Sequence, residues 1–314
     1  MRLLQESRKS MKAAIDIGTN SVLMLVGEPC GGGEVRPERD LMRVTRLGEG
    51  LSASGAISPE AARRTLDVLR EYRSVCLAAG VAEIAAVGTA AMRTASNGEQ
   101  FLKEACDAVG AEIEVLSEER ESSLAFAPAA KSFGNDIVVC DIGGGSTEFT
   151  AFDRDGTLRC TSLPVGCVSL TERFLAGDPE TNEEVYRLRM EARKELEDNL
   201  DPELYARPHD KTFVAAAGTA STLASMKLRL PSYDPELIHG AELSLEELRD
   251  LIDLMRPKRI DERRSLPGLV PERADVILAG AELLQEIMSY LGYSGARVSD
   301  RGVRWGLFYE KFCS

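Results

Sequence analysis

Two stretches of this chain repeat one arrangement, in which an apolar strand ends in aspartate and a turn of glycine and hydroxyl residues follows. The first stretch reads AAIDIGTNSVLMLV (13–26) and the second reads IVVCDIGGGSTEF (137–149). Small residues in such a turn let an anion approach the main chain, and the backbone N–H groups point toward it. A single copy is most often an ordinary turn. Two copies, with Asp16 and Asp141 at the strand ends, predict facing phosphate-binding loops between two similar domains.

The elements that must hold these loops alternate between apolar strands and helical stretches. Ser58, Pro59 and Glu60 predict a helix start, since Ser is a good N-cap and Pro suits the first turn. This helix should end near Ala79, another should span 98–109, and an acidic helix should begin near Ser117. Parallel strands joined by helices predict an α/β fold with right-handed crossovers and a buried sheet in each half.

At Asn135 the order of strand, loop and hairpin restarts, which makes the following residues an internal structural repeat of residues 13–50. A later strand, turn and helix are predicted over 213–226, and a long amphipathic helix over 271–291. The length of 314 residues suits two domains. We expect a first domain over 1–130, rejoined by 299–314, and a second domain over 131–298.

Composition excludes several classes of protein. The chain has a formal net charge of −13, which argues against general nucleic-acid binding. No apolar stretch approaches the roughly 20 residues that span a bilayer, so no membrane association is expected. The start, MRLLQESRKSMK, is too polar for a signal peptide. A cytoplasmic location is therefore predicted.

The cysteines and histidines limit the chemistry further. Seven scattered cysteines lack CxxC spacing, which favours reduced thiols over a disulfide framework or a zinc site. The two histidines are His209 and His239, so a His-based metal cluster or a Ser-His-Asp triad is not expected.

Positive potential for an anionic substrate must be local in so acidic a chain. The candidates are a run of arginines after the first loop and several later ones: Arg36, Arg39, Arg43, Arg46, Arg63, Arg64, Arg93, Arg301 and Arg304. Each is either part of a substrate-gathering surface or an ordinary solvated charge, and sequence leaves both interpretations open.

Eight stretches together resemble one known family. They are AAIDIGTNSVLMLV, VGTAAMR, LSEERESSLAF, VVCDIGGGSTEF, SLPVGCVSLTERF, AAAGTASTLASM, ERADVILAGAELL and VSDRGVRWGL, and they run from about residue 13 to 307. The chain resembles the exopolyphosphatase and guanosine pentaphosphate phosphohydrolase family, within the acetate/sugar kinase, Hsp70 and actin superfamily. It looks like a short member without the carboxy-terminal HD-type domain. The resemblance implies two ribonuclease H-like domains around a cleft.

This resemblance and the requirements of phosphoryl transfer to water imply the same site. The terminal phosphate must be clamped, its developing charge neutralised and the water oriented. The clamp would consist of the backbone amides of Gly18, Thr19, Asn20, Ser21, Gly143, Gly144, Gly145, Ser146 and Thr147. The hydroxyls of Thr19, Ser21, Ser146 and Thr147 would aid it. Asp16, Asp141 and Glu148 supply hard oxygen ligands suited to Mg²⁺, with Mn²⁺ as an alternative and some contacts through water. Arg93, at the family's arginine position, would neutralise charge on the transferred group.

Glu121 aligns with the family's catalytic glutamate, which implies a general base that activates water. Without the motif, the residue reads as a surface acid in a run of acids. The sequence also departs from the family here, because Arg120 replaces an acid and Ser123 replaces the motif arginine. Glu119 is the second candidate for the base.

A third loop, GTAST (218–222), matches the segment with which the superfamily's kinases hold adenosine. Gly218, Thr219 and Ser221 are therefore nucleotide-loop candidates, although Thr and Ser are also common helix N-caps. Asp300 and Gly302 would form a hinge, line the cleft or simply pack.

We expect a phosphoanhydride hydrolase acting on inorganic polyphosphate, guanosine pentaphosphate or both. Two alternatives stay open: an ATP-dependent kinase of the same superfamily, and a non-catalytic sensor of an alarmone or polyphosphate. A homodimer is also left open. Release of labelled phosphate without an acceptor would separate a hydrolase from a kinase, and tight binding without turnover would indicate a sensor.

Overall fold

The strands of the chain form two mixed sheets, one from each half of the sequence, in a computed structural model that describes residues 11–205 and 211–313. His209 and most of the polar start of the chain lie outside these residues. Each sheet has its own apolar core, and a smaller third cluster lies where the carboxy-terminal segment joins the first half.

The first sheet contains five strands in the order β3-β2-β1-β4-β5. The strands are β1 (Lys12–Ile17), β2 (Ser21–Pro29), β3 (Val35–Val44), β4 (Glu83–Gly88) and β5 (Ile113–Val115). The helices of this half are α1 (Leu51–Ser54), α2 (Pro59–Ala78), α3 (Ala90–Thr94), α4 (Gly98–Val109) and α5 (Glu118–Phe133). Strands β1, β2 and β3 form an antiparallel meander, and β4 and β5 continue the sheet in parallel to β1.

The second sheet contains six strands in the order β10-β11-β9-β6-β7-β8. The strands are β6 (Ile137–Ile142), β7 (Thr147–Phe152), β8 (Leu158–Leu163), β9 (Thr212–Ala216), β10 (Glu242–Ser244) and β11 (Gly295–Ser299). The helices are α6 (Cys167–Phe174), α7 (Asn182–Asn199), α8 (Pro202–Tyr205), α9 (Ala217–Lys227), α10 (Pro235–Ile238), α11 (Leu245–Met255), α12 (Ile260–Arg263), α13 (Ile277–Leu291) and α14 (Val303–Phe312), with a 3₁₀ turn over Pro271–Arg273.

The two sheets share one topology. Strands β6, β7 and β8 form an antiparallel meander, and β9 and β11 extend the sheet in parallel to β6, as β4 and β5 do in the first sheet. The second sheet adds only the edge strand β10, antiparallel to β11. This confirms the predicted internal repeat and the α/β fold of two ribonuclease H-like units.

Two helix starts explain how the sequence orients its helices. The Ser58 hydroxyl accepts the Ala61 N–H at the start of α2, with Pro59 in the first turn. The Ser117 hydroxyl accepts the Arg120 N–H at the start of α5. Each cap satisfies a backbone donor that has no partner within the helix, and the second cap fixes the turn that carries Glu121.

Helix α5 joins the two halves, and the carboxy-terminal helix α14 packs on the first half. Helix α14 packs against α5 and β1, where Trp305 and Phe308 are buried beside Leu124. Helix α5 also contacts the second sheet, and its Phe126 ring meets Phe152 edge-on at 5.3 Å. The chain therefore returns to the first half after β11. The exact domain bounds stay a prediction.

Two predicted elements differ from the structure. The helix expected over 271–291 begins only at Ile277, because i to i+3 bonds such as Val276 N–H to Arg273 O (3.1 Å) tighten the preceding segment. The turn expected in GTAST is instead the first turn of α9, which begins at Ala217. Among the described residues, no helix combines the length and apolarity needed to cross a membrane.

Candidate active site

The two glycine-rich loops close with the same backbone hydrogen bond. The Gly18 N–H donates to Ser21 O at 3.0 Å, and the Gly143 N–H donates to Ser146 O at 3.0 Å. The loops also touch, since Thr19 Cγ2 lies 3.2 Å from the point a Cβ at Gly144 would occupy. A side chain at Gly144 would push the two loops apart, so glycine permits this approach.

A cavity of about 400 Å³, called here the first cavity, lies between the loops. Most of the predicted site residues line it: Asp16, Gly18, Thr19, Asn20, Ser21, Glu121, Asp141, Gly143, Gly144, Gly145, Ser146, Glu148, Gly218 and Ser221. They come from the ends of β1 and β6, from α5, from the start of β7 and from the first turn of α9. The fold thus brings four separate sequence motifs around one space.

Two of the predicted residues have other roles. The Thr147 hydroxyl donates to the Val165 carbonyl at 2.6 Å and is fully buried, so it stabilises the loop instead of facing a ligand. Thr219 is also fully buried, and its methyl group would meet a Cβ at Gly280 at 2.7 Å. Both assignments as ligand-binding side chains are therefore corrected.

The acidic residues of the first cavity repel one another. Asp141 and Glu148 stand opposite each other on β6 and β7, so their side chains share one face of the sheet. Burial, then the charges of Glu121 and Asp141, raises the pKa of Asp16 to about 8. Burial and the Glu121 charge raise the pKa of Asp141 to about 7. Burial raises the pKa of Glu148 to about 8, with smaller contributions from Glu121 and Asp141.

This acidic cluster offers oxygen atoms to a hard divalent cation but does not surround the cation with direct ligands. Asp16 Oδ1 is buried and has no hydrogen-bond donor among the described residues, as a cation-facing oxygen would. However, no three acidic, histidine or cysteine side chains in 11–205 and 211–313 are placed to hold one ion directly. The cluster therefore fits an ion that keeps part of its water shell, as Mg²⁺ does.

Glu121 and Arg93 form a pair at the edge of the first cavity. Arg93, on α3, donates to Glu121 Oε2 at 3.1 Å and to Leu116 O at 2.8 Å. Burial raises the pKa of Glu121, while the Arg93 guanidinium acts in the opposite direction. A buried carboxylate whose pKa is raised is a better proton acceptor than an exposed one. Arg93 itself lines a second, adjoining cavity.

Arg120, where the sequence departs from the family motif, has ion-pair partners other than Glu121 and Arg93. Arg120 forms ion pairs with Glu310 of α14 and, at 3.8 Å, with Glu114. Glu119 is exposed and does not line the first cavity. Its pKa is lowered, first by a backbone hydrogen bond and then by the Ser117 hydroxyl. This geometry favours Glu121 over Glu119 as the proton acceptor.

Sequence reasoning missed Arg273, which lines the first cavity together with the loops. Its side chain is 6% exposed, its Nε has no hydrogen-bond partner, and it has no ion pair with a described carboxylate. The guanidinium lies against Gly218, where a Cβ would be 1.8 Å from Nη2. Ala217, the residue before Gly218, has a φ of 65°, which is a strained value for a residue with a side chain. A buried, unpaired arginine beside a helix start is suited to binding an anion.

At the far end of the first cavity, a buried network joins both halves. Arg304 donates to Asp40 at 2.7 and 2.9 Å and to the Asp300 carbonyl at 3.0 Å. Tyr233 donates to Asp300, and Trp305 donates to Asp40 at 3.1 Å. Arg304 is therefore fully paired by protein carboxylates, and Asp300 both lines the cavity and holds the carboxy-terminal segment in place.

The other arginines singled out from the sequence are mostly paired as well. Arg43 binds Glu71 at 2.8 Å within the first half, whereas Arg46 binds Asp275 at 2.8 Å across the two halves. Ion pairs also engage Arg36, Arg39, Arg63 and Arg64. These pairs weaken the hypothesis of a free cationic surface, since most of the charges already have partners.

The repeated fold, the touching glycine loops and the acidic cluster are typical of a two-domain, actin-like protein that binds phosphate groups. Comparison with known proteins agrees with this class. A model of the Ppx/GppA phosphatase family matches residues 39–314. Exopolyphosphatase 2 of Mycobacterium tuberculosis is 34% identical over 317 aligned positions, which cover 94% of this chain and 96% of that protein.

Two further relatives extend the comparison. The guanosine-5'-triphosphate,3'-diphosphate pyrophosphatase of Vibrio parahaemolyticus is 31% identical over 98% of this chain, but the match covers 60% of that longer protein. The crystal structure of the Aquifex aeolicus Ppx/GppA family member superposes with a TM-score of 0.78 at 32% identity, covering 96% of this chain and 97% of that one. The chain belongs to the Ppx/GppA phosphatase family and is a hydrolase of that family.

Proposed function

We propose that this protein hydrolyses the terminal phosphoanhydride bond of inorganic polyphosphate, guanosine pentaphosphate or both, and that it does so in the cytoplasm with Mg²⁺ or Mn²⁺. Two similar proteins, an exopolyphosphatase and a guanosine-5'-triphosphate,3'-diphosphate pyrophosphatase, support these two substrates. The seven free cysteines agree with a reducing compartment.

The observation that carries the proposal is the position of Glu121 relative to the loops. Its carboxylate reaches the same cavity as both glycine-rich turns, and Arg93 holds it at 3.1 Å. A terminal phosphate on the loops would therefore have a proton acceptor on one side. Glu121 accepts a proton from the attacking water, while Arg93 keeps the carboxylate oriented and offsets negative charge.

The clamp for the phosphate comes from backbone groups. Residues Gly18 to Ser21 and Gly143 to Ser146 line the cavity from the two halves, and Ser221 lines it from the first turn of α9. The Gly18 and Gly143 N–H groups close the loops, so the N–H groups of the residues after them would bind the phosphate. Arg273 supplies the positive charge that the loops lack, and its burial strengthens its attraction for phosphate oxygens. These contacts would hold the remainder of the substrate in the first cavity, which Arg93 does not line.

A divalent cation would be held by Asp16, Asp141 and Glu148, partly through water, and would supply charge neutralisation at the phosphate when bound. Burial, and then the charges of neighbouring carboxylates, raises the pKa values of these three groups, and a bound cation would favour their charged forms.

Phosphate release decides between this proposal and its alternatives. Purified protein is incubated with long-chain polyphosphate and, separately, with guanosine pentaphosphate, in Mg²⁺ and without any acceptor. Orthophosphate should accumulate catalytically from at least one of the two. Transfer only in the presence of an acceptor would indicate a kinase, and binding without turnover would indicate a sensor.

A further inference from the structure

A second cavity, of about 650 Å³, adjoins the first on the other side of the phosphate loops. The two cavities share Thr19, Ala90, Gly144, Gly145 and Ser146 in their walls. Because these are residues of the loops and of the start of α3, a phosphate held by the loops borders both spaces.

The rest of the second wall comes from both halves and reaches the surface. Ser52 and Thr94 are exposed residues of the first half, and Arg173 is an exposed residue of the second. The wall also contains Arg93 and the exposed Glu118, which lie 3.6 Å apart. The Arg93 guanidinium attracts an anion to this wall, and the Glu118 carboxylate offsets part of that charge, so the anion is held reversibly.

The direction of the reaction relates the two cavities. Hydrolysis joins a water oxygen to the terminal phosphorus and breaks the bridging P–O bond, with the entering and leaving oxygens roughly in line. The released orthophosphate therefore lies on the side of the proton acceptor Glu121 and its partner Arg93. The shortened chain stays in the first cavity, which Arg273 and Ser221 line and Arg93 does not.

We propose that the second cavity is the exit route and transient binding site for inorganic orthophosphate. The inference rests on the proposed function. Orthophosphate leaves past Arg93, between Ser52 and Thr94, while the shortened polyphosphate stays bound in the first cavity. An enzyme with separate places for substrate and product can remove successive phosphates without releasing the chain.

Obstruction of this cavity tests the proposal. Ser52→Trp and Thr94→Trp place an indole in the passage from two exposed positions, and Ala53→Trp is the matched control because Ala53 neighbours Ser52 without lining the cavity. Each protein is loaded with orthophosphate and mixed in a stopped-flow instrument with a fluorescent phosphate sensor. This measurement of the release rate needs no catalytic turnover. It therefore tests the second cavity even if neither substrate is hydrolysed and the proposed function fails.

Release of orthophosphate from Ser52→Trp and Thr94→Trp should be about tenfold slower than from the wild type and from Ala53→Trp. In single-turnover quench experiments, the bond-breaking step should be unchanged in all four proteins. Equal release rates in the four proteins would overturn the proposal, as would a wild type that retains no orthophosphate. A raised KM for long polyphosphate with normal phosphate release would overturn it too, since the cavity would then hold the chain.

Discussion

The guanidinium of Arg93 donates to the carboxylate of Glu121 at 3.1 Å, and the two side chains stand at the junction of the two cavities. Arg93 is fixed in turn by the Leu116 carbonyl at 2.8 Å. This pair fixes the orientation of the carboxylate relative to the phosphate loops. The position of any water activated by Glu121 follows from it.

Arg273 should contribute to substrate binding more than to the fold. We expect Arg273→Met to raise KM about tenfold with a smaller change in kcat, because a charge-assisted hydrogen bond to a phosphate oxygen is lost. Steady-state kinetics with both substrates provide the measurement. Arg264→Met is the control, since Arg264 is exposed and its ion pair among the described residues is with Asp261. A lower melting temperature with unchanged KM would make Arg273 a structural residue.

The acidic cluster predicts a pH-dependent effect of Mg²⁺ on stability. The folded-state pKa values of about 8 for Asp16 and about 7 for Asp141 lie above the ordinary value of 3.8. Between these limits the metal-free folded protein binds more protons than the unfolded chain, so its stability decreases as the pH rises. A bound cation replaces the protons, so Mg²⁺ should raise the melting temperature more at about pH 8 than at about pH 5.

The test variant for this measurement is Glu148→Gln, which removes one carboxylate charge from the cluster. It should reduce the increase in melting temperature that Mg²⁺ produces at the higher pH. Asp155→Asn is a matched surface change, since Asp155 is an exposed residue of the hairpin between β7 and β8. An equal Mg²⁺ effect at both pH values would contradict a cation held by the raised carboxylates.

Arg46 should hold the two halves together. It binds Asp275 at 2.8 Å and the Glu272 carbonyl at 3.0 Å, both across the cleft. Arg46→Met should therefore give a larger radius of gyration without substrate, and a polyphosphate analogue with Mg²⁺ should restore the compact form by binding it more tightly. Arg43→Met is the control, because Arg43 pairs with Glu71 within the first half. Identical small-angle scattering of both variants would refute this role.

Much of the fold was predictable because its signals are local. The glycine and aspartate pattern of the two loops, the Ser58 and Ser117 caps and the repeat of strand, loop and hairpin are all visible in the sequence. The α/β fold followed from their order. The predicted start of α13 at residue 271 was wrong, because a 3₁₀ turn and an α-helix have a similar spacing of apolar residues.

The site was harder to predict where a role depends on distant contacts. Arg273 is one arginine in a helical pattern, and only the tertiary fold brings it against Gly218. The Thr147 hydroxyl belongs to a loop motif, yet it faces Val165 because β7 buries that side of the strand. Arg273 belongs to the family-like stretch ERADVILAGAELL, but that stretch does not by itself show which of its side chains faces a cavity.

The most direct test of the account replaces Glu121 with glutamine and measures orthophosphate release at saturating substrate and Mg²⁺. The amide keeps the shape and cannot accept a proton, so turnover should fall by about 100-fold or more while substrate binding is retained. Glu119→Gln, a neighbouring exposed acid outside the first cavity, should stay near the wild-type rate. Near-wild-type turnover by Glu121→Gln, or a larger loss in Glu119→Gln, would contradict the assignment of Glu121 as the base.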